Sequence, residues 1–202
     1  MKQKNSEVKE FSAIILAAGE SSRMGIPKLS LSYDESTNFL EHIVNEYELF
    51  GCNEIVIVVN GQGKKYLKEN DIKFPENIKI VLNAHTELHR FYSLKIGVRA
   101  LSNTKPVFIH NVDNPFVNQR VLTELVNKYK YADYINPQYN EKGGHPFLLS
   151  KTVINDIKSS HEDKLHLKEF LNQYSRLRIK VDDEKVLVNI NTIDEYRTYF
   201  RL

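Results

Sequence analysis

The sequence is poor in cysteine, tryptophan and long apolar runs, and it has no excess of charge of one sign. Cys52 is the only cysteine, which excludes an intrachain disulfide and a cysteine-rich zinc site. No run approaches the roughly 20 apolar residues that a membrane-spanning helix needs. Basic residues number 28 against 26 acidic ones, a net charge of +2, so there is no overall attraction to nucleic acid or an anionic membrane. Recognition of an anion must therefore be local.

Two common nucleotide-binding motifs are also missing. The sequence contains neither the P-loop pattern G-x-x-x-x-G-K-[ST] nor the dinucleotide pattern G-x-G-x-x-G. It has no internal repeat and no low-complexity tract. A chain of 202 residues, 41% of them hydrophobic, is typical of one globular domain, and we predict a single domain over 1–202 with its core at about 10–200.

The first residues have the basic start of a secretory signal but not its continuation. Lys2 and Lys4 precede an apolar segment, yet Glu7 and Glu10 interrupt the basic stretch. The apolar segment is only about eight residues long and fits a first strand better than a signal. We therefore predict a soluble, cytoplasmic protein.

Strand and helix patterns alternate over the first 130 residues. Short apolar runs with β-branched residues predict strands at 12–18, 54–61, 78–83 and 106–113. Apolar residues at helical spacing predict helices at 39–51, 92–101 and 118–130, and a short helix at 63–70. This alternation indicates an α/β fold, a three-layer sandwich with a mostly parallel, Rossmann-like sheet.

The pattern changes after about residue 132. In ADYINPQYNEKGGHPFLLS (132–150), a proline and a glycine pair separate two strand-like pieces, which predicts a small antiparallel excursion. LHLKEFLNQY (165–174) predicts a helix, and RLRIKVDDEKVLVNINTIDEY (176–196) predicts two short strands and a final helix.

The loop after the first strand, LAAGESSRMGIPKL (16–29), has the composition of an anion site. Gly19 and Gly25 allow close backbone approach, and consecutive N–H groups can surround an anion. Arg23 offers a planar fork of donors and Lys28 a mobile point charge. Two cations on a flexible backbone suit a triphosphate, although the residues alone also allow a plain connecting loop with solvated charges.

LAAGESSRMGIPKLSL (16–31) resembles the signature L-A-A-G-x-S-x-R-M-G-x-P-K of the MobA-like nucleotidyltransferases. It is most similar to the branch that includes molybdenum cofactor cytidylyltransferase. Later motifs follow in order over about residues 10–200. The resemblance implies a fold of the nucleotide-diphospho-sugar transferase type. It also implies a nucleotide contacted by Leu16, Ala17, Ala18, Gly19, Arg23 and Lys28.

Two segments are similar to the family's metal-binding motifs. HNVDNPFV (110–117) matches the G-D-x-P-F/L-V segment, which implies that Asp113 holds Mg²⁺. Taken alone, an aspartate at a strand end more often caps a turn. VNINTIDEY (188–196) resembles the closing segment whose polar residue completes the metal site, and both candidates are asparagines, Asn189 and Asn191. We favour Asn191; an amide brings no charge, so the site should depend mainly on Asp113 and nucleotide phosphates.

Two further segments imply contacts to the base, the ribose and the acceptor. NAHTELHRFYSLKIGV (83–98) is similar to the family's base-contacting segment, with Asn83 and Ser93 as the matching polar residues. His89 stands where the family has glycine. GGHPFLLS (143–150) resembles the G-H-P-V segment, which implies that His145 faces the acceptor. The alternative for His145 is a loop histidine that orders its own backbone.

The resemblance implies a Mg²⁺-dependent nucleotidyltransferase in which Arg23, Lys28 and Asp113 are catalytic. It would move CMP from CTP, favoured over GTP because of Ala18, to a phosphorylated acceptor, either molybdopterin-like or a sugar or polyol phosphate, and release pyrophosphate. The departures at His89, the two asparagines and Ile193, which replaces a proline, leave a second hypothesis open: a nucleotide-binding regulatory or assembly module without turnover. An α/β protein that binds no nucleotide is a third.

Overall fold

The computed structural model describes residues 11–200, so the basic start weighed above as a secretory signal lies outside the described residues. Its eight strands form one sheet in the order β3-β2-β1-β4-β7-β5-β6, with β8 paired to β5. The strands are β1 (Ser12–Ala17), β2 (Glu54–Val59), β3 (Ile78–Leu82), β4 (Val107–Asn111), β5 (Tyr134–Tyr139), β6 (Lys142–Gly143), β7 (Phe147–Leu149) and β8 (Arg176–Lys180).

Strands β3, β2, β1 and β4 are parallel. β7 runs antiparallel to both β4 and β5, while β8 is parallel to β5. The predicted α/β class, with a mostly parallel sheet and a small antiparallel excursion, is confirmed.

Seven α-helices and three short 3₁₀ helices join the strands over this part of the chain. The α-helices are α1 (Phe39–Phe50), α2 (Gly61–Glu69), α3 (His89–Ala100), α4 (Gln119–Val126), α5 (Lys151–Ser159), α6 (Leu167–Leu171) and α7 (Ile193–Tyr199). The 3₁₀ helices are Lys28–Ser30, Thr86–Leu88 and Glu184–Leu187. None of the helices in residues 11–200 has the length and apolar character needed to cross a membrane.

The sheet separates two apolar cores, and β1 supplies both. Ala13 and Ile15 pack in the core with α1 and α4, whereas Ile14 and Leu16 pack in the core with α3 and α5. This alternation follows from the two-residue period of a strand. Because both faces are covered, β1 and β2 are buried along their whole lengths, as is usual for parallel sheets.

Local capping residues explain why α1 begins and ends where the sequence predicts. The side chain of Asn38 accepts a hydrogen bond from the N–H of Glu41, and the Glu41 carboxylate accepts one from the N–H of Asn38. At the other end, Gly51 adopts the left-handed conformation (φ 90°), which glycine takes at little steric cost.

The second half differs from the sequence-based prediction at several elements. Residues 151–159 form the helix α5, which was not predicted; Ser150 caps it by accepting from the N–H of Val153. The second of the two strands predicted within 176–196 was wrong, because residues 184–187 form a 3₁₀ helix after Asp183, whose side chain accepts from the N–H of Lys185. The helices at 118–130 and 165–174 are also shorter than predicted.

The strand order places a crevice at the carboxyl ends of β1 and β4. From β1 the chain moves outward through β2 to β3, and it then returns to place β4 on the other side of β1. The helix α3, which returns the chain from β3 to β4, packs on the face of the sheet opposite α1. Ligands of open α/β sheets bind where the strand order reverses in this way. The loops that follow β1 and β4 form the site described next.

Candidate active site

The loop after β1 is held in shape by its own hydrogen bonds and by β2. The hydroxyl of Ser21 accepts from the N–H of Lys28 (3.2 Å), and the carbonyl of Ser21 accepts from the N–H of Met24 (2.9 Å). Asn60, directly after β2, donates from Nδ2 to the carbonyl of Gly19 (3.1 Å). Arg23 is exposed in this loop and lines the cleft.

Three side chains that lie far apart in sequence meet where the strand order reverses, at the carboxyl ends of β1 and β4. We call this place the switch point, and the three residues are Lys28, Asp113 and Asn191. Nζ of Lys28 lies 2.7 Å from Oδ1 of Asn191 and 3.4 Å from Oδ2 of Asp113. The side chains of Lys28 and Asp113 are only 14% and 20% exposed, so water screens their charges less than at an open surface. Asn189 is exposed and lies apart from this contact.

Backbone contacts fix Asp113 beside the chain segment that carries Asn191. The N–H of Ile190 donates to the carbonyl of Asp113 (2.6 Å). Asn114, fully buried, donates from Nδ2 to the carbonyls of Lys185, Val186 and Val188. The residue after the aspartate therefore ties the 3₁₀ helix and the closing segment to the end of β4.

The oxygens at this meeting point fit a divalent cation. Oδ1 of Asp113 is buried and has no hydrogen-bond partner in residues 11–200. Oδ2 of Asp113 and Oδ1 of Asn191 already converge on one positive charge, that of Lys28. The described residues contain no group of three or more histidine, cysteine or acidic residues suited to a metal. Such a sparse oxygen set is typical of Mg²⁺ sites that are completed by water and substrate phosphates.

The wall formed by the start of α3 places Ser93 on the cleft and Asn83 behind it. Ser93 lines the cleft, and its hydroxyl accepts from Nδ2 of Asn83 (2.9 Å). Oδ1 of Asn83 accepts from the N–H of His85 (2.8 Å). Both ends of the buried Asn83 amide are engaged within the protein, so Asn83 orders the wall. The Ser93 hydroxyl also donates to the carbonyl of His89 (3.3 Å), and Ser93 lines the cleft.

His89, at the first position of α3, has a backbone conformation that normally requires glycine. Its φ is 60° and its ψ is −160°, a combination that costs a residue with a side chain about 1–3 kcal/mol. The imidazole is exposed and lines the cleft. The geometry thus explains physically why glycine suits this position, and both His89 and Ser93 line the cleft.

His145 lies on the floor of the cleft, between β4 and the 3₁₀ helix Glu184–Leu187. Its N–H donates to the carbonyl of Val186 (2.8 Å), and its Nε2 lies 3.4 Å from Nδ2 of Asn111. Nδ1 is buried without a partner in the described part of the chain. Burial lowers the pKa of His145 to about 4, although Asp113 acts in the opposite direction. The imidazole is therefore neutral at physiological pH.

The cleft gathers nearly all the residues singled out in the sequence, together with several that were missed. It has a volume of about 1120 Å³. The lining residues for which the sequence predicted no role include Asn60, Asn111, Tyr134, Lys168 and Arg176. Asn60 and Asn111 stand at the carboxyl ends of strands, a signal that could have identified them. Arg176 stands at the first residue of β8 and gave no such signal.

The buried His110 on β4 should make the fold sensitive to acid. Burial lowers the pKa of His110 to about 3, whereas an unfolded histidine titrates near 6.5. Protonation therefore favours the unfolded chain below that pH, and we expect the free energy of unfolding to fall by about 2–3 kcal/mol between pH 6.5 and 4.5. Urea melts across this pH range measure the effect.

The His110→Asn variant provides the control for this pH dependence. Nδ1 of His110 lies 2.9 Å from the hydroxyl of Tyr47, and Nε2 lies 2.6 Å from the carbonyl of Asn114. Because both contacts change, the variant should be less stable than the parent at pH 7.5. Its stability should also depend less steeply on pH below 6.5. An unchanged slope would mean that other groups cause the acid sensitivity.

Comparison with known proteins relates the chain to a protein family. Residues 13–177 match the family model of the MobA-like NTP transferase domain. The chain is 28% identical over 157 residues to the bifunctional enzyme IspD/IspF of Pelagibacter ubique, an alignment that covers 76% of this chain and 40% of that protein. It is 24% identical to the molybdenum cofactor cytidylyltransferase of Escherichia coli, with 92% and 93% covered. A probable molybdenum cofactor guanylyltransferase of Methanosarcina mazei is 26% identical, with 91% and 87% covered.

Solved structures of similar proteins support the fold. Rv0371c from Mycobacterium tuberculosis superposes with a TM-score of 0.79 at 22% identity, covering 96% of this chain and 99% of that one. A structure of Rv0371c in complex with manganese gives 0.77 at 19% identity, with 96% and 99% covered. The predicted family resemblance is confirmed by the family model, and the predicted fold class by these structures.

Proposed function

Because the chain belongs to the MobA-like NTP transferase family, we propose that it moves a nucleoside monophosphate, with CMP from CTP favoured, to a phosphorylated acceptor. Family membership makes it a nucleotidyltransferase; the nucleotide, the acceptor and the residue roles are the proposal. The observation that carries the proposal is the meeting of three side chains at the switch point. Nζ of Lys28 lies 2.7 Å from Oδ1 of Asn191 and 3.4 Å from Oδ2 of Asp113.

In the proposed reaction, a phosphate oxygen of the acceptor attacks the α-phosphorus of the nucleotide in line. A new P–O bond forms as the bond to the leaving pyrophosphate oxygen breaks. No covalent intermediate is required, so the protein contributes positioning and stabilisation of negative charge. Arg23 and Lys28 hold the triphosphate, and the backbone of residues 16–19 holds the nucleoside portion with Ser93. Asn60 and Asn83 keep those two walls in place.

Asp113 and Asn191 would hold a divalent cation, Mg²⁺ in the cell. When bound, such an ion supplies neutralisation of the charge that develops on the phosphates. Two protein oxygens leave most coordination positions to water and nucleotide. In this proposal Lys28 leaves its contacts with Asp113 and Asn191 and turns to the triphosphate.

The acceptor side is assigned to the region of His145. A neutral imidazole can accept a hydrogen bond from the acceptor or donate one to it, depending on the tautomer. His145 therefore orients the acceptor without adding charge. Molybdopterin-like and sugar or polyol phosphates both remain candidate acceptors, because a shared fold does not select the acceptor.

Binding of nucleotides tests the proposal before an acceptor is known. CTP, GTP, ATP and UTP are added separately, each with and without Mg²⁺, and the unfolding temperature is measured. A ligand at 100 times its dissociation constant stabilises the folded protein by about 2.7 kcal/mol. We expect stabilisation that requires Mg²⁺ and is largest with CTP. Preference for GTP would overturn the assignment of the base, to which Ala18 and the cytidylyltransferase resemblance lend support.

The same experiment separates the transferase from the alternative functions. A regulatory or assembly module would be favoured if nucleotide binding does not depend on Mg²⁺ and no pyrophosphate is released. The unusual backbone of His89, where the family has glycine, is the departure that motivates this alternative. No stabilisation by any nucleotide would contradict both hypotheses and leave an α/β protein without a nucleotide.

A further inference from the structure

The cleft is larger than a nucleotide alone requires, and its far wall has an unusual charge. Its volume of about 1120 Å³ exceeds the roughly 300–1,000 Å³ of most small-molecule sites. The wall opposite the loop after β1 is built from β5, β8, α6 and the segment before α6. That wall contributes only basic ionisable groups besides tyrosines, namely Lys164, His166, Lys168 and Arg176. The acidic residues that line the cleft, Glu20, Glu87 and Asp113, come from the loops after β1, β3 and β4.

A buried lysine anchors part of this wall. Lys95 of α3 is 1% exposed, and its Nζ lies 2.6 Å from Oδ1 of Asp163 and 3.2 Å from the carbonyl of Glu162. The ion pair lowers the pKa of Asp163. Because this contact ties the segment before α6 to the central helix α3, the wall has a defined position relative to Ser93, two residues earlier on α3.

Arg176 is the basic residue of this wall whose orientation is fixed most fully. Its guanidinium lies over the ring of Tyr134, 4.6 Å from the centroid. Its Nε donates to Oδ1 of Asn136 (3.2 Å), which is itself 1% exposed. In residues 11–200 Arg176 has no carboxylate partner within ion-pair distance. A guanidinium held by neutral groups keeps donors free for an anion.

Arg90 brings a second positive charge toward the same place from α3. Burial raises the pKa of Tyr134, while Arg176, Arg178 and Arg90 all act to lower it. Arg90 also lowers the pKa of His145, after the larger effect of burial. Arg90 lines the same cleft as Tyr134, His145 and Arg176, and its charge acts on the pKa values of Tyr134 and His145.

We propose that Arg176, seated on Tyr134 and assisted by Arg90, forms a subsite for the phosphate group of the acceptor. The proposal rests on the proposed function, because it treats the far wall as the acceptor side of a nucleotidyltransferase. A planar fork binds a phosphate through two parallel N–H···O bonds. The subsite therefore selects acceptors that carry a phosphomonoester over neutral ones.

Arg178 offers a matched control two residues along the same strand. It is exposed like Arg176, but its Nη1 donates to the carbonyl of Glu141 (3.3 Å), and it does not line the cleft. Arg176→Met and Arg178→Met remove the same charge from β8, but only Arg176 lines the cleft.

The test measures the binding of glycerol 3-phosphate by calorimetry. The protein is first saturated with Mg²⁺ and with the non-hydrolysable α,β-methylene analogue of the nucleotide that stabilises it most. Glycerol is the neutral control. We expect Arg176→Met to weaken glycerol 3-phosphate binding by about 10- to 100-fold, the effect of losing charged hydrogen bonds. Arg178→Met should bind nearly as the parent does, and nucleotide affinity should change little in both variants.

Three results would overturn the subsite: no binding of glycerol 3-phosphate by the parent, equal losses in both variants, or a loss of nucleotide affinity in Arg176→Met. Equal losses would indicate only a general attraction by positive charge, and loss of nucleotide affinity would assign Arg176 to the triphosphate. Failure of the proposed function is distinguishable. If no nucleotide binds, glycerol 3-phosphate is titrated into the protein without nucleotide. A loss of affinity in Arg176→Met but not in Arg178→Met would then still support the phosphate subsite, although the proposed function would have failed.

Discussion

Replacing Asp113 by asparagine is expected to lower the rate of pyrophosphate release by on the order of 1000-fold while leaving the fold intact. The Asp113 carboxylate contacts the ammonium of Lys28, which also contacts the Asn191 side chain. Its Oδ1 has no partner in residues 11–200, so the loss of charge removes little that holds the described structure together. The same charge is what a divalent cation and the leaving phosphates require.

Two measurements on the Asp113→Asn variant keep the result interpretable. Pyrophosphate release is followed with an acceptor that supports turnover in the parent, and thermal unfolding is followed with nucleotide in the presence and absence of Mg²⁺. We expect the Mg²⁺-dependent part of nucleotide stabilisation to disappear, while the unfolding temperature without ligands stays close to that of the parent. Turnover within tenfold of the parent would remove Asp113 from the proposed metal site.

The two asparagines of the closing segment supply the matched pair for the metal site. Asn191 contacts Lys28, whereas Asn189 is exposed and contacts Asn191 only through its backbone carbonyl (3.4 Å). In the same assays Asn191→Ala should weaken the Mg²⁺ requirement, whereas Asn189→Ala should behave as the parent does. A larger effect at Asn189 would reverse the choice between the two.

Much of the fold could be predicted because its core obeys simple periodicities. Parallel strands such as β1 and β2 are buried on both faces, so they appear as continuous apolar runs, and α1 carries capping residues at both ends. Prediction failed where a short polar segment takes its shape from contacts distant in sequence. Residues 184–187 look like a strand in isolation, yet Asn114 holds the carbonyls of Lys185 and Val186 and keeps the segment in a tight turn. α5 was predictable from the cap residue Ser150 and the helical spacing of the apolar residues Val153, Ile154 and Ile157.

Local sequence motifs likewise identify some residues of the candidate site, whereas others are brought into it only by contacts between segments distant in sequence. Residues that follow a strand at the switch point, such as Lys28 and Asp113, were identified by sequence motifs, and their proximity is a consequence of strand order. The choice of Asn191 over Asn189 agrees with the contact to Lys28, although its role remains part of the proposal. Arg176 became visible only when β8 paired with β5, because that pairing brings Arg176 over Tyr134. No local pattern in 176–180 encodes this contact.

Replacing Lys28 by methionine is expected to have opposite effects on turnover and on metal binding. Turnover should fall by about 100- to 1000-fold, because a positive charge that stabilises the phosphates in the transition state is lost. In the structure, however, the ammonium of Lys28 lies 2.7 Å from Oδ1 of Asn191 and 3.4 Å from Oδ2 of Asp113. A divalent cation must displace that ammonium to reach the same oxygens. Binding of Mn²⁺ to the free protein, measured by electron paramagnetic resonance, should therefore be tighter in Lys28→Met than in the parent.

Arg23→Met separates these two effects, because Arg23 lines the cleft without contacting either Asp113 or Asn191 in the described structure. We expect it to lose turnover as Lys28→Met does, but to bind Mn²⁺ in the free protein with unchanged affinity. If Lys28→Met also leaves Mn²⁺ affinity unchanged, the lysine and the metal do not share the same oxygens, and the cation site must lie elsewhere in the cleft. If Mn²⁺ binds more tightly only in Lys28→Met, the lysine occupies the cation site of the free enzyme. Metal entry and the turn of Lys28 toward the triphosphate are then a single exchange of positive charge.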